Sequence, residues 1–524
     1  MMKKAKRFLG VLLAAVLTAG VLAGCATTGG GSGENSGENP SKSVQGEAQG
    51  EEKKDTLTVA LTGEPPSLTT CDHDSVISVY MNILTYNGLM RVDHETLEIV
   101  PDLAAEYTVE NDTDWIFTLK DNIKFHNGEP CTAEDVKASI EWAKTFPGSA
   151  NYTKNIQSVE AVDDSTVKIV TDGPYAGLLA DLAYHYNFIV PKELIESGHD
   201  FNAEPVGTGP YKFVSWQYGD SLTFEAFDEY FDTERKASIP NLIFKIIPEG
   251  TSRTIALEAG EVDFVYEVPS ADVERLKENS KFEVKEITSV ENFFLGLNLD
   301  KEPFNDVNVR QAINYGINRE DIIAAALNGY GVPNYTSIAM GYAGSTEEGA
   351  CTYDLEKAKE YLEQWGGNPE DIVLPIICSN ETKVAAATVM QSNLAELGIQ
   401  VEVVSTDTAT YFSDWEAGNY TGLISSWSPS NALTYIQRYH SDRALTYPGS
   451  LNDPEIDALV KDAEATIDEA QRVEKIEKIV EQINGMAPQI SLYQPLMFRA
   501  YDANLGGVTA SATGYVGFND MYWK

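Results

Sequence analysis

Ile372-Val373-Leu374-Pro375-Ile376-Ile377-Cys378 is an apolar run of strand length, and Ile399-Gln400-Val401-Glu402-Val403-Val404 is another. Between them, residues 383–397 space their apolar side chains along one helical face, and Gly398 closes the segment. The hydrophobic period changes from that of a strand to that of a helix and back. Strand, helix and strand in this order call for a parallel pair joined by a right-handed crossover. This unit sets the fold class as α/β.

Moving outward, helices are predicted over 307–315 and 320–327, the second stopped by Gly329, and over 355–364, with Asp354 as N-cap. Asp306 can cap the helix that starts at Val307, and Arg310 is expected to hold that helix against a carboxylate. Two acidic helices follow at 455–465 and 469–483, and 489–524 reads as a return to short strands. Upstream, 57–61, 115–119, 221–227, 242–247 and 282–287 have strand patterns, and 293–299 alternates apolar residues. Thr132-Ala133-Glu134-Asp135 has the form of a capping box that opens a helix to about 144. Asp163-Asp164-Ser165 separates two alternating runs, a hairpin signal. No internal repeat is visible.

Several blocks then carry a family pattern. They are Asp102-Leu103-Ala104-Ala105-Glu106-Tyr107, Ile123-Lys124-Phe125-His126-Asn127-Gly128, Val206-Gly207-Thr208-Gly209-Pro210-Tyr211, Ala256-Leu257-Glu258-Ala259-Gly260-Glu261-Val262-Asp263, Pro303-Phe304-Asn305-Asp306-Val307 and Asn452-Asp453-Pro454-Glu455-Ile456-Asp457. In this order they resemble the peptide/nickel class (family 5, oligopeptide/dipeptide-binding-like) of extracellular solute-binding lipoproteins that serve ABC importers. The resemblance implies a two-lobed periplasmic-binding-protein-like fold of type II, with an extra subdomain in lobe I. Lobe I would take 56–298, with the subdomain at about 75–190. Lobe II would take 299–488, and 489–524 would return to lobe I. It implies a monomeric binding module without catalysis, cofactor or resident metal. The module would capture a peptide-like solute between the lobes and pass it to permease subunits. A nickel chelate or other non-peptide solute is the alternative within the class.

In peptide-binding relatives a Trp is followed three residues later by an Asp that pairs with the peptide ammonium. Here Trp427 matches the Trp, and Ser430 stands where the Asp would be. An unpaired buried ammonium is costly, so this absence bears directly on the ligand. The resemblance places Ser426, Ser428, Ser430 and Asn431 beside the ligand, with Trp427 stacking on it or packing in the core. Asp72 or Asp74, in the loop Cys71-Asp72-His73-Asp74, is a candidate replacement acid. Tyr266 and Tyr493 are further candidates that face the cleft or pack. Arg438 or Arg443 would meet a ligand carboxylate or form a surface ion pair.

The N-terminus explains where such a protein would work. Lys3, Lys4, Lys6 and Arg7 precede an apolar run too short to span a bilayer, and Leu22-Ala23-Gly24-Cys25 ends it. This looks like a bacterial lipobox, with 1–24 removed and Cys25 carrying the lipid. The stretch 25–55 is polar and rich in Gly and Ser, a disordered tether reaching about 30 Å. The expected location is therefore the outer face of the cytoplasmic membrane, held by the lipid anchor alone. The chain carries 80 acidic against 38 basic residues, a net charge of −42, which argues against nucleic acid and anionic lipid as partners. The four Cys after Cys25 fit no metal or redox spacing and read as isolated buried thiols. A secreted hydrolase is a remote alternative, since no carboxylate pair stands out among the acids.

Overall fold

The computed structural model describes residues 54–73, 75–429, 431–441, 451–509 and 511–524. The signal segment, Cys25, nearly all of the tether, Asp74, Ser430 and Arg443 lie outside the described residues.

The strand-helix-strand unit forms as read. Val373–Cys378 and Gln400–Ser405 pair in parallel, with the helix Glu381–Ala395 between them. That helix starts two residues before its apolar pattern does. The side chain of Asn380 accepts the Lys383 N–H at 3.0 Å, so Glu381 and Thr382 fill the first turn. Gly398 closes the connection at φ +82, a conformation that favours glycine.

This unit is the outer part of a long mixed sheet. Gly422–Trp427 runs parallel to Val373–Cys378 and antiparallel to Asn292–Leu297. Asn292–Leu297, assigned to lobe I by the sequence pattern, thus pairs within the second half of the sheet. Its other neighbour is Gln489–Asp502, a 14-residue strand where only short strands were expected. The expectation failed at Pro495, which reads as a break because proline cannot donate to a ladder. The chain continues straight through it and changes partners instead. Before Pro495 the strand pairs with Asn292–Leu297 and Gly331–Pro333; after it, with Phe282–Thr288 and Phe264–Val265. From Phe264–Val265 the sheet runs through Thr56–Leu61, Asn241–Ile246, Ser221–Ala226 and Tyr211–Gln217. The chain therefore crosses between the two halves at 289–291 and at Pro495. The two crossings are bonded together, because the Ser289 N–H donates to the Pro495 carbonyl at 3.0 Å.

The halves have separate cores. Leu295, Ile313, Leu374, Met390, Leu394, Ile424 and Ile490 pack in one, and Leu57, Val59, Leu222, Phe224, Leu242 and Phe264 in another. A third belongs to a four-stranded antiparallel sheet, ordered Ala104–Glu110, Asp114–Leu119, Thr166–Thr171 and Ile156–Ala161, under the helix Ala133–Ala143. This sheet, hereafter the subdomain, falls within the span expected for the extra subdomain. The Asp135 carboxylate accepts the Thr132 N–H at 2.9 Å, as the capping-box reading requires. Division into several cores is what a chain of this length needs, since one core stops growing beyond roughly 250–300 residues.

The family blocks turn out to be joints. His126 donates from Nε2 to the Gly209 carbonyl at 3.0 Å, and its own N–H donates to the Gly207 carbonyl at 2.8 Å. Burial holds its ring neutral, with a pKa of about 4. A side chain at Gly207 or Gly209 would run into the carbonyls of Thr85 and Leu84, at the end of the helix Val76–Thr85. Among the described residues Arg310 forms no ion pair with a carboxylate. Its guanidinium donates to the carbonyls of Phe304, Asn305, Met486 and Ala487, closing the C-terminus of Glu469–Met486. Cys71, Cys131, Cys351 and Cys378 are buried and free of disulfides. Among the described residues no helix is long and apolar enough to cross a membrane, and no group of His, Cys, Asp and Glu could hold a metal ion.

Candidate functional site

A cavity of about 490 Å³ is lined from both halves of the sheet, from the first crossing at Ser289 and Glu291, and from the region of the four-stranded sheet. Its size is that of a small-ligand site. One wall is the helix Val76–Thr85, whose Val76, Val79, Tyr80 and Ile83 follow the i, i+3, i+4, i+7 rule and all line the cavity. Val76 is 57% exposed, an apolar group left open to the cavity rather than to a core. Ser75 caps this helix by accepting the Ser78 N–H at 3.1 Å, and the glycines of 207–209 pack against its far end. The subdomain contributes Tyr152 and Tyr184, stacked with centroids 4.1 Å apart.

The opposite wall is the end of Gly422–Trp427 and the turn after it. Trp427 is opposite Asn292 in the ladder. Asn292 is fixed by donating to the Tyr435 hydroxyl at 3.0 Å and to Ser491 Oγ at 2.9 Å. The Trp427 ring lies 5.0 Å from that of Tyr435, and the Arg438 guanidinium sits 5.2 Å from its centroid. The indole is held from behind while it lines the cavity. Ser428 is exposed and lines the cavity beside Pro429, whose carbonyl accepts the Tyr342 hydroxyl at 2.5 Å.

Of the residues named from sequence, the structure brings Trp427, Ser428 and Tyr266 into this lining. Tyr266 is buried, donates to the Gly514 carbonyl at 3.0 Å, and carries the Arg499 guanidinium 3.9 Å from its ring centroid. The others sit elsewhere. Ser426 lies one residue back in the strand, and its hydroxyl bonds the Glu291 carboxylate. Asn431 is the N-cap of Ala432–Gln437 and accepts the Thr434 N–H at 2.9 Å. Tyr493 is fully buried and stacks on Phe293 at 4.8 Å. Asp72 and His73 are exposed and do not line the cavity. Arg438 is no surface residue; it is 1% exposed among the rings of Phe294, Trp427, Tyr435 and Tyr439.

Sequence reasoning missed the charged part of the lining. Arg91, His94, Asp102, Arg235, Glu267 and Glu291 all contribute. Arg235 donates to Asp102 at 3.1 Å, and the Asn87 amide donates to the same carboxylate at 2.8 Å. Arg91 pairs with Asp93 at 3.4 Å. Burial, helped by Arg235 and Arg91, lowers the His94 pKa to about 4, so the ring is neutral. Both guanidinium groups thus have carboxylates of their own. Glu267 and Glu291 form no ion pair among the described residues. Glu291 is half-buried at the first crossing, and its burial holds the carboxyl above the usual range against the pull of Ser426 and Lys383. The signal for it was weak: one acid among 80, just before an alternating apolar strand.

Comparison with known proteins adds four findings. The profile of bacterial extracellular solute-binding proteins, family 5 Middle, matches residues 98–444. The chain is 27% identical over 456 residues to the glutathione-binding protein GsiB of Pectobacterium atrosepticum, covering 83% of this chain and 88% of that protein. It is 27% identical over 477 residues to the dipeptide-binding protein of Escherichia coli K12, again covering 83% and 88%. Among solved structures, HbpA2 of Haemophilus parasuis superposes with a TM-score of 0.81 at 23% identity, over 90% of this chain and 100% of that one.

Proposed function

The chain belongs to the bacterial extracellular solute-binding proteins of family 5, and from that premise we propose that it is the lipid-anchored receptor of an ABC importer, taking up a peptide-like solute. Proteins of this family are extracytoplasmic and bind peptides or other small solutes for ABC permeases. The observation that carries the reading is the cavity lined from both halves of the sheet and from the first crossing, at Ser289 and Glu291. A solute seated there touches the subdomain at Tyr184 and the second half at Trp427, so it gains more contacts when the halves approach. Binding then favours the closed arrangement by the difference in contact free energy. We place the boundaries between lobes at 289–291 and at Pro495, where the strands change partners. Ser428, exposed at the end of the strand, is where main-chain pairing, which needs no particular ligand side chain, would take place.

The direct test is mass spectrometry of solute released by gently unfolding protein purified from rich medium. We expect peptides at about one per chain, chemically unaltered after prolonged incubation with the folded protein. Absence of any retained solute, or its turnover, would overturn the reading. Trp427→Ala should weaken binding of the recovered solute by about 1–3 kcal/mol, measured by calorimetry, because the indole is a desolvated aromatic contact. Unchanged affinity would remove Trp427 from the ligand's surroundings.

A further inference from the structure

We propose that Glu291 receives a positively charged group of the bound solute, an ammonium or guanidinium. The inference rests on the solute-binding reading above and names the chemistry of its ligand. Four observations converge on it. Glu291 lines the cavity beside Trp427 and Ser428, next to the strand end where main-chain pairing would take place. Its carboxylate has one named hydrogen-bond partner, the Ser426 hydroxyl, and no ion pair among the described residues. The cations of the lining are already matched, Arg235 by Asp102 and Arg91 by Asp93, so they do not compete for it. Its backbone is fixed, with the Glu291 N–H donating to Ser289 Oγ at 3.0 Å and the Val290 N–H to the Ala512 carbonyl at 2.9 Å.

The physical logic is that of a half-desolvated anion. Removing water from a carboxylate favours its neutral form. Burial has moved Glu291 in that direction, and the Lys383 charge offsets it only in part. Tyr493 and Tyr342 also face it, and each is itself displaced upward by burial, so neither is charged near neutral pH. A solute cation supplies the missing partner, and a charge-assisted hydrogen bond to it is about twice as strong as a neutral one. The cation has two possible sources, a peptide's α-amine or a Lys or Arg side chain. Ser430, where the resemblance leads one to expect an ammonium-binding Asp, leaves the α-amine in need of another acid. Of the two acids of the lining with no ion pair among the described residues, Glu267 is exposed, whereas Glu291 is half-buried and adjoins Asn292, the ladder partner of Trp427.

The test uses the full chain and a casein digest as the probe. Half of the digest is acetylated at its amines, the halves are mixed, and retained peptides are identified by mass spectrometry. Wild type should retain free-amine peptides at least tenfold over their acetylated forms. Glu291→Gln, close in shape but uncharged, should retain both forms equally. Preference seen in peptides lacking Lys and Arg assigns the cation to the α-amine. Retention of acetylated peptides that still carry Arg assigns it to a side chain. Equal retention of all forms by wild type would overturn the proposal, as would an unchanged preference in Glu291→Gln. No retention of any peptide by either protein would overturn the peptide-binding reading itself, and this proposal with it. A second readout does not depend on the variant's folding. As pH falls, protonation of Glu291 removes its charge, so the wild-type preference should vanish at a pH above that where an ordinary glutamate protonates. A preference constant through that window would also overturn the assignment.

Discussion

Replacing Cys25 with alanine is expected to move the protein out of the membrane fraction, or to leave it as uncut precursor. The expectation rests on Leu22-Ala23-Gly24-Cys25 closing an apolar run with a basic start. A single acyl chain gives only marginal, reversible membrane binding, with an association constant of about 10⁴ M⁻¹, whereas two chains hold firmly. Each buried methylene adds about 0.8 kcal/mol. Loss of the thiol removes every one of them, and the remaining tether is polar and acidic and has no affinity for anionic lipid. The change should therefore be close to all-or-none. Fractionation by ultracentrifugation, with the N-terminus read by mass spectrometry, checks it. A protein cut after Gly24 and still retained by the membrane would refute the anchor.

The second large effect is one of stability. Truncating Arg319 to alanine should lower stability by roughly 3–5 kcal/mol, because it strands several buried carbonyls, with partial relief from relaxation. Arg319 is 0% exposed. Its Nε donates to the carbonyls of Asn334 and Ser491 at 3.0 and 2.8 Å. Its Nη1 donates to those of Asn314 and Ile317 at 3.2 and 3.1 Å. One side chain thereby ties the end of the helix Val307–Gly316, the start of Arg319–Leu327, the loop at Asn334 and the strand Gln489–Asp502. Alanine strands those acceptors, and an unmet buried acceptor costs about 1–3 kcal/mol before water enters. Arg319→Lys should rescue little, because an ammonium has no planar fork to reach several carbonyls at once. The urea midpoint is the measurement. A shift equivalent to less than about 1 kcal/mol would show that water replaces the guanidinium freely.

Local chemistry in this chain was easy to read, and distant pairing was not. Asp306, Asp354 and Thr132 announce helix starts: the first two carboxylates accept a free N–H of the first turn, and at the third the Asp135 carboxylate accepts the Thr132 N–H. The parallel pair around Glu381–Ala395 follows from period and length alone. By contrast, nothing in Gln489–Asp502 says that Pro495 is a change of partner instead of an end, because the partners lie hundreds of residues away. Arg310 was read as the partner of a carboxylate, and Arg319 carried no sequence signal at all, since sequence displays carboxylates and hides the backbone carbonyls that both bind. The site divides in the same way. Trp427 was visible because a motif surrounds it. Asn431 was misassigned for the same reason, although an Asn before an apolar helix is an ordinary N-cap. Glu291 acquires its character from burial, Ser426 and Lys383, which only the folded chain brings together.

The long strand through Pro495 also dictates when the molecule can be finished. Gln489–Asp502 lies inside the sheet, flanked by Asn292–Leu297 on one side and Phe264–Val265 and Phe282–Thr288 on the other. Synthesis delivers it well after the strands that flank it, and pairing across such separations is intrinsically slow. Until it arrives, both halves present an open ladder with unsatisfied N–H and C=O groups. Neither can close its core early and independently of the other. A chain built this way stays pliant along most of its length until it is complete, which is the condition a polypeptide needs in order to be threaded through a membrane before it folds on the far side.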